Sequence, residues 1–109
     1  MANTFKLKTK ANVGVTTVGI YTPPAATTTV VIGITLSNTS GSGVNVGVGI
    51  TREGTTEDVK LLKNAPIPQG SSLEFMAGNK VVLETTDTLT VDSDTNSSVD
   101  AALTIMEIT

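Results

Sequence analysis

The sequence predicts an all-β fold: a two-sheet antiparallel β-sandwich, jelly-roll or immunoglobulin-like, with about 8–9 strands in a single domain over residues 1–109. Three observations carry this. Apolar residues fall on alternate positions in segment after segment, the period of a strand with one buried face. Two proline stretches, Thr22-Pro23-Pro24 and Pro66-Ile67-Pro68, exclude helix, because proline fixes φ and pushes the residue before it to extended backbone. Aromatic residues make up only 3% of the chain against 39% hydrophobic, so the core must be Val, Ile, Leu and Ala, with many threonines that also favour strands.

In the first strand, Phe5, Leu7 and Thr9 alternate with Lys6, Lys8 and Lys10, giving one apolar and one cationic face. Lysines on a terminal strand commonly guard a sheet edge, so a solvated cationic face is expected, with contact to an acidic neighbour as the alternative. Val13 and Val15 share one parity and Val18 and Ile20 the other, which predicts a bulge or bend near Thr16-Thr17. Thr29 to Ser37 is the third strand, with Ile32, Ile34 and Leu36 facing inward. Asn38 to Gly43 is a turn by composition.

Val44, Val46, Val48 and Ile50 then alternate with Asn45, Gly47, Gly49 and Thr51, leaving a nearly bare outer face. Glycine there is either simply exposed or admits another backbone, a subunit or a ligand closely. Arg52 to Asp58 reads as a charged loop and Val59 to Lys63 as a short strand. From Asn64 to Asp94 the chain is organised by its prolines and turns. Leu73 and Phe75, then Val81 and Leu83, flank Ala77-Gly78-Asn79-Lys80 and predict a hairpin; Leu89 and Val91 begin a further strand. Val99, Ala101, Leu103 and Ile105 mark the last strand. The expected core is Ile32, Ile34, Leu36, Val46, Val48, Ile50, Leu83, Leu89, Val91, Leu103 and Ile105.

Composition narrows the chemistry. Without Cys or His there is no disulfide, thiolate, imidazole ligand or histidine base. A net charge of −3 indicates no nucleic-acid partner, and no apolar run approaches the roughly 20 residues of a membrane span. The start, MANTFKLKTK, lacks the apolar region of a secretory signal, so the protein is expected to act where its host makes it or to leave by lysis. Asp92-x-Asp94-x-Asn96 begins like a calcium loop but has Ser97 and Leu103 where glycine and glutamate are needed. Glu84 and Asp87 form a carboxylate pair with no aromatic platform nearby, and are expected to serve a turn. Gly41-x-Gly43 and Gly47-x-Gly49 lack a third glycine and a following helix. No catalytic, metal or cofactor site is expected, and no enzyme.

One set of motifs resembles small virion structural proteins of tailed bacteriophages, notably those of marine cyanobacteria. The motifs are Ile20-Tyr21-Thr22-Pro23-Pro24-Ala25-Ala26-Thr27-Thr28, Ile32-Gly33, Asn38, and Lys63-Asn64-Ala65-Pro66-Ile67-Pro68 with Gly70-Ser71. They continue in Lys80, Leu83-Glu84-Thr85-Thr86-Asp87, Ser93-Asp94, Ser97-Ser98-Val99-Asp100 and Glu107, covering about residues 18 to 109. The resemblance implies a β-rich, non-enzymatic particle component, located in the virion and in the host cytoplasm during assembly. Within that class it implies a capsid decoration or cement protein, homo-oligomeric with a trimer favoured, whose partners are the major capsid protein or other virion proteins. A neck, tail or fibre-attachment component is the alternative, and a carbohydrate-binding module a weaker one. The candidate assembly contacts are Phe5, Lys6, Leu7, Lys8 and Lys10 in an N-terminal contact strand within residues 1–10, together with Gly47 and Gly49.

Overall fold

Alternating strands with one apolar face are stable only when two such faces meet, and in the computed structural model they do. The structure describes residues 2–52, 57–75 and 80–109. The tip of the charged loop (53–56) and Ala77-Gly78-Asn79 lie outside the described residues.

Nine strands run in order among the described residues: β1 (Asn3–Val13), β2 (Val18–Tyr21), β3 (Thr28–Asn38), β4 (Val44–Arg52), β5 (Glu57–Ile67), β6 (Ser72–Phe75), β7 (Val81–Leu83), β8 (Asp87–Ser93) and β9 (Val99–Ile108). A five-stranded sheet has the order β1-β9-β3-β6, with β7 also paired to β3. A four-stranded sheet has the order β2-β8-β4-β5. Every pairing is antiparallel. The chain changes sheet at each connection except β4–β5 and β6–β7. With β6 and β7 counted as one interrupted edge strand, this is the two-sheet winding of a jelly roll, the first of the two expected sandwich types.

The core lies between the sheets. Val31, Leu36, Leu103 and Ile105 of one sheet face Val46, Val48, Leu89 and Val91 of the other, and all are essentially inaccessible. Of the expected core residues only Ile32 is misplaced. The β3–β9 register shifts between Val31 and Gly33, so the inward parity passes from Thr29 and Val31 to Ile34 and Leu36. Ile32 is left half-buried and lines the outer face.

The expected hairpin is also corrected. β6 pairs with β3 at Ile34–Ser37 and β7 with β3 at Thr29–Val31, both antiparallel to it. The two therefore run in the same direction along one edge of β3 and do not pair with each other. Two alternating segments separated by a Gly-Asn pair carry the same sequence signature whether they fold on each other or lie end to end on a third strand. The parity change near Thr16-Thr17 is the expected bend and not a bulge within one strand: the chain bends at Val15 and Thr16. It is the passage from β1 in one sheet to β2 in the other. The strand expected over Val59 to Lys63 extends to Glu57–Ile67; Pro66 is tolerated because β5 is an edge strand.

A candidate assembly surface

The most unusual side-chain placement is on β1. Residues directly opposite in a sheet share a face, and Lys6, Lys8 and Lys10 stand opposite Ile105, Leu103 and Ala101, the buried residues of β9. The lysines therefore sit on the inner side of the sheet, while Phe5 and Leu7 point to solvent, 68% and 65% exposed. β1 has 11 residues, whereas β2, at the corresponding edge of the facing sheet, has only 4, so the inner face of β1 has little apolar cover to join. Lysine stems lie over that mouth instead.

The mouth holds a polar network anchored on Glu107, which is 5% exposed. Glu107 Oε1 accepts from Lys6 Nζ at 2.8 Å, and Oε2 accepts from the Tyr21 hydroxyl at 2.5 Å. Tyr21 has one proton, so the 2.8 Å bond between its oxygen and Thr29 Oγ1 is donated by Thr29. Lys8 Nζ lies 5.9 Å from the centre of the Tyr21 ring. Lys6 first, then Tyr21, holds the Glu107 carboxyl below its usual range. Burial first, then the bond to Glu107, pushes the Tyr21 hydroxyl up to about 12. Both shifts move the groups away from neutral pH, so the network holds structure and is not poised for proton transfer. The sequence contained a signal for it: Glu107 continues the inward parity of Val99, Ala101, Leu103 and Ile105.

The outer face of the same sheet is apolar. Cross-strand register places Phe5, Met106, Val30 and Val82 in one row from β1 through β9 and β3 to β7. Val82 is 55% exposed. The next row is Leu7, Thr104 and Gly33, and the third Thr9, Ala102, Thr35 and Glu74. The small residues Gly33, Ala102 and Thr104 leave a groove of about 300 Å³ beside Ile32. Of the side chains in these three rows only Glu74, at the far edge, is charged.

Gly47 and Gly49 lie on β4 in the opposite sheet, apart from the β1 candidates. Both are buried, and what approaches them closely is this chain itself. A Cβ at Gly47 would meet Asp92 Oδ1 at 2.6 Å, and one at Gly49 the Val59 carbonyl oxygen at 2.9 Å.

The remaining polar motifs are tied up in turns. Arg52 Nε donates to Asp87 at 3.1 Å and its Nη2 to Glu84 at 3.3 Å, while Asp87 also accepts the Glu84 amide at 2.9 Å. The carboxylate pair is thus an ion-paired turn, and Asp87 raises the Arg52 pKa further. Asp92 accepts the Thr17 hydroxyl at 2.9 Å and Asp94 the Asn45 amide at 3.1 Å. Among the described residues no group of three potential metal-binding side chains converges.

No protein-family model and no curated protein sequence matches the chain. Solved structures do match in fold. One chain from the disulfide-linked pili formed by Bacillus endospore appendages superposes with a TM-score of 0.56 at 16% identity, over 99% of this chain and 87% of that one. A chain of the T13 particle of infectious bursal disease virus superposes with a TM-score of 0.59 at 12% identity, over 96% of this chain but only 30% of that one. The same virus's Gx strain gives 0.55 at 12% identity, over 95% and 32%. At these identities the likeness is one of fold, and this chain spans about a third of the viral proteins it resembles.

Proposed function

We propose that this chain is a non-enzymatic structural subunit of an assembled particle, and within that class a decoration or cement protein that binds the capsid of a tailed bacteriophage as an oligomer. The observation that carries the reading is the pair Phe5 and Leu7, held in the open on a rigid sheet whose central rows lack charge. Water-exposed aromatic and aliphatic surface contributes binding energy only when a partner covers it. The sequence resemblance to virion proteins supports it, and so does a fold shared with subunits of a pilus and of a viral particle. The disulfide linkage of those pili has no counterpart in a chain without cysteine.

A carbohydrate-binding role is less well supported. Tyr21, the only Tyr or Trp, is buried under Glu107 and Thr29 and offers no platform for a sugar ring. The N-terminal segment Ala2 to Lys10 is the proposed assembly contact, through its outward residues Phe5 and Leu7. β1 pairs with β9 along most of its length, so deleting it would strip a whole edge and leave Glu107 without Lys6. Phe5→Ser with Leu7→Ser is the cleaner test. The variant should fold and fail to co-sediment with particles. Retention at full occupancy would refute the contact. Copies per particle that match the shell lattice would support decoration, and a handful would support the neck, tail or fibre alternative.

A further inference from the structure

The outer face of the five-stranded sheet has a raised corner and a hollow centre. Phe5 and Leu7 stand up from β1, and Gly33, Ala102 and Thr104 leave the groove beside them. We propose that this face seats the same face of a second copy about a two-fold axis, so that Phe5 and Leu7 of each copy enter the groove of the other. This rests on the assembly reading above for where the pair works, and it names the body that Phe5 and Leu7 meet first.

Three observations favour a second copy over other occupants. The first is electrostatic. The chain carries a net charge of −3, so like copies repel wherever their charges face, but Phe5, Met106, Val30, Val82, Leu7 and Thr104 bring none to the contact, and the one acid lining the groove, Glu74, stands on the edge strand β6 farthest from β1. The second is shape. A two-fold contact must be self-complementary, each residue meeting the partner's equivalent site in both directions, and a face with both the projection and the hollow satisfies this. The third is the state of the β1 edge. Inward-pointing lysines guard it against an added strand, and Lys6 is already committed to Glu107. No comparable guard protects the outer face.

The footprint sets the strength. Four strands about 4.8 Å apart and about six residues long at about 3.3 Å each give roughly 400 Å² of projected face per copy. A pair then covers roughly 800 Å² of projected face, below the usual range for a stable specific contact. Such a pair is weak alone and gains from being gathered on a particle, where a second site acts at high local concentration.

Sedimentation equilibrium of the full chain, from dilute to millimolar concentration, tests this. The expected result is reversible monomer–dimer behaviour whose midpoint concentration rises about tenfold or more in Phe5→Ser and in Ala102→Arg. Val15→Ser, at an exposed position in the connection between β1 and β2, should leave the midpoint unchanged. Concentration-dependent amide shifts should map to Leu7, Thr104 and Gly33. A monomer at every concentration overturns the proposal, as does a dimer weakened by Val15→Ser but not by Ala102→Arg. If the monomer still binds particles and Ala102→Arg abolishes that binding, the face belongs to the shell: the second copy is refuted and the assembly reading stands. A dimer that meets these expectations but does not bind particles keeps the pair and removes the assembly reading.

Discussion

Lys6 on β1 and Glu107 on β9 meet at 2.8 Å on the inner side of the five-stranded sheet, and this contact orients the whole first strand. Side chains alternate along a strand, so Lys6 inward requires Phe5 and Leu7 outward. The lysine end is partly solvated and contributes modestly by itself. The glutamate is buried, and leaving its charge without a partner there is costly. The arrangement keeps Glu107 satisfied at the expense of exposing a phenyl ring.

The first prediction concerns acid stability. The folded-state pKa of Glu107 is lowered, chiefly by Lys6. The stability it contributes is therefore present above its unfolded pKa of about 4.3 and is lost as pH falls through the lower folded value. Glu107→Gln should flatten the acid limb of a plot of unfolding free energy against pH. An acid limb as steep as the parent's would show that other carboxylates dominate.

The second concerns the alkaline limb. Tyr21 is raised to about 12, first by burial and then by Glu107. A raised folded pKa means stability that is full below the unfolded value of about 10 and is lost as pH rises from there toward 12. Tyr21→Phe should remove that decline. At neutral pH it should cost about 1–3 kcal/mol, because Glu107 and Thr29 each lose a buried partner. Denaturant titrations of both proteins at neutral and alkaline pH separate the two effects.

The third separates two residues that the sequence alone treats alike. Leu103 is fully buried, so Leu103→Ala should cost about 2–5 kcal/mol. Ile32 sits beyond the β3 register shift, on the outer face, and Ile32→Ala should cost about 1 kcal/mol or less. Equal shifts in the urea midpoint would mean that Ile32 is inward after all.

Those two residues also show what the sequence could convey. Alternation marks strands and their buried parity wherever the ladder is regular, and Leu103, Val48 and Leu89 fall where it predicts. One inserted residue inverts the parity beyond it, and nothing in Val31-Ile32-Gly33 announces on which side the insertion falls. The direction of β1 was illegible for a related reason. Alternation separates Phe5 and Leu7 from the lysines but does not say which set faces in. The deciding partners, Tyr21 and Glu107, are brought to β1 only by the jelly-roll winding. Edge pairing was lost in the same way, because β6 and β7 both choose β3 over each other.

The fourth concerns backbone strain at Thr86, whose φ is +81°. A β-branched residue is disfavoured there, and such strain costs on the order of 1–3 kcal/mol. Thr86→Gly relieves it but makes the unfolded chain more flexible, which returns part of the gain. The net expectation is a rise of about 1 kcal/mol in unfolding free energy. A fall would mean that the Thr86 side chain makes a contact worth more than the strain.

The last concerns the glycines of β4, where the two positions should respond differently. At Gly49 a Cβ would lie 2.9 Å from the Val59 carbonyl oxygen, and Val59 is held by its register with Ile50. That obstacle is backbone and cannot swing aside, so Gly49→Ala should cost about 1–3 kcal/mol as the edge strand is pushed off. At Gly47 the nearest atom, at 2.6 Å, is Asp92 Oδ1, the end of a side chain; the Leu62 carbonyl follows at 3.3 Å, close enough that this backbone must give by a few tenths of an ångström. Asp92 can rotate, but doing so gives up the Thr17 hydroxyl held by its other oxygen. Gly47→Ala should therefore cost less, about one exposed hydrogen bond or roughly 0.5–1.5 kcal/mol. In an Asp92→Ala background the closer obstruction is gone and only the tight Leu62 carbonyl remains, so the same Gly47→Ala change should cost less than in the parent, partly offset by the smaller freedom alanine has to lose on folding. A double-mutant cycle reads this directly: a positive coupling between positions 47 and 92 is expected. If the Gly47→Ala cost is the same in both backgrounds, Asp92 is not what fills the space above the glycine.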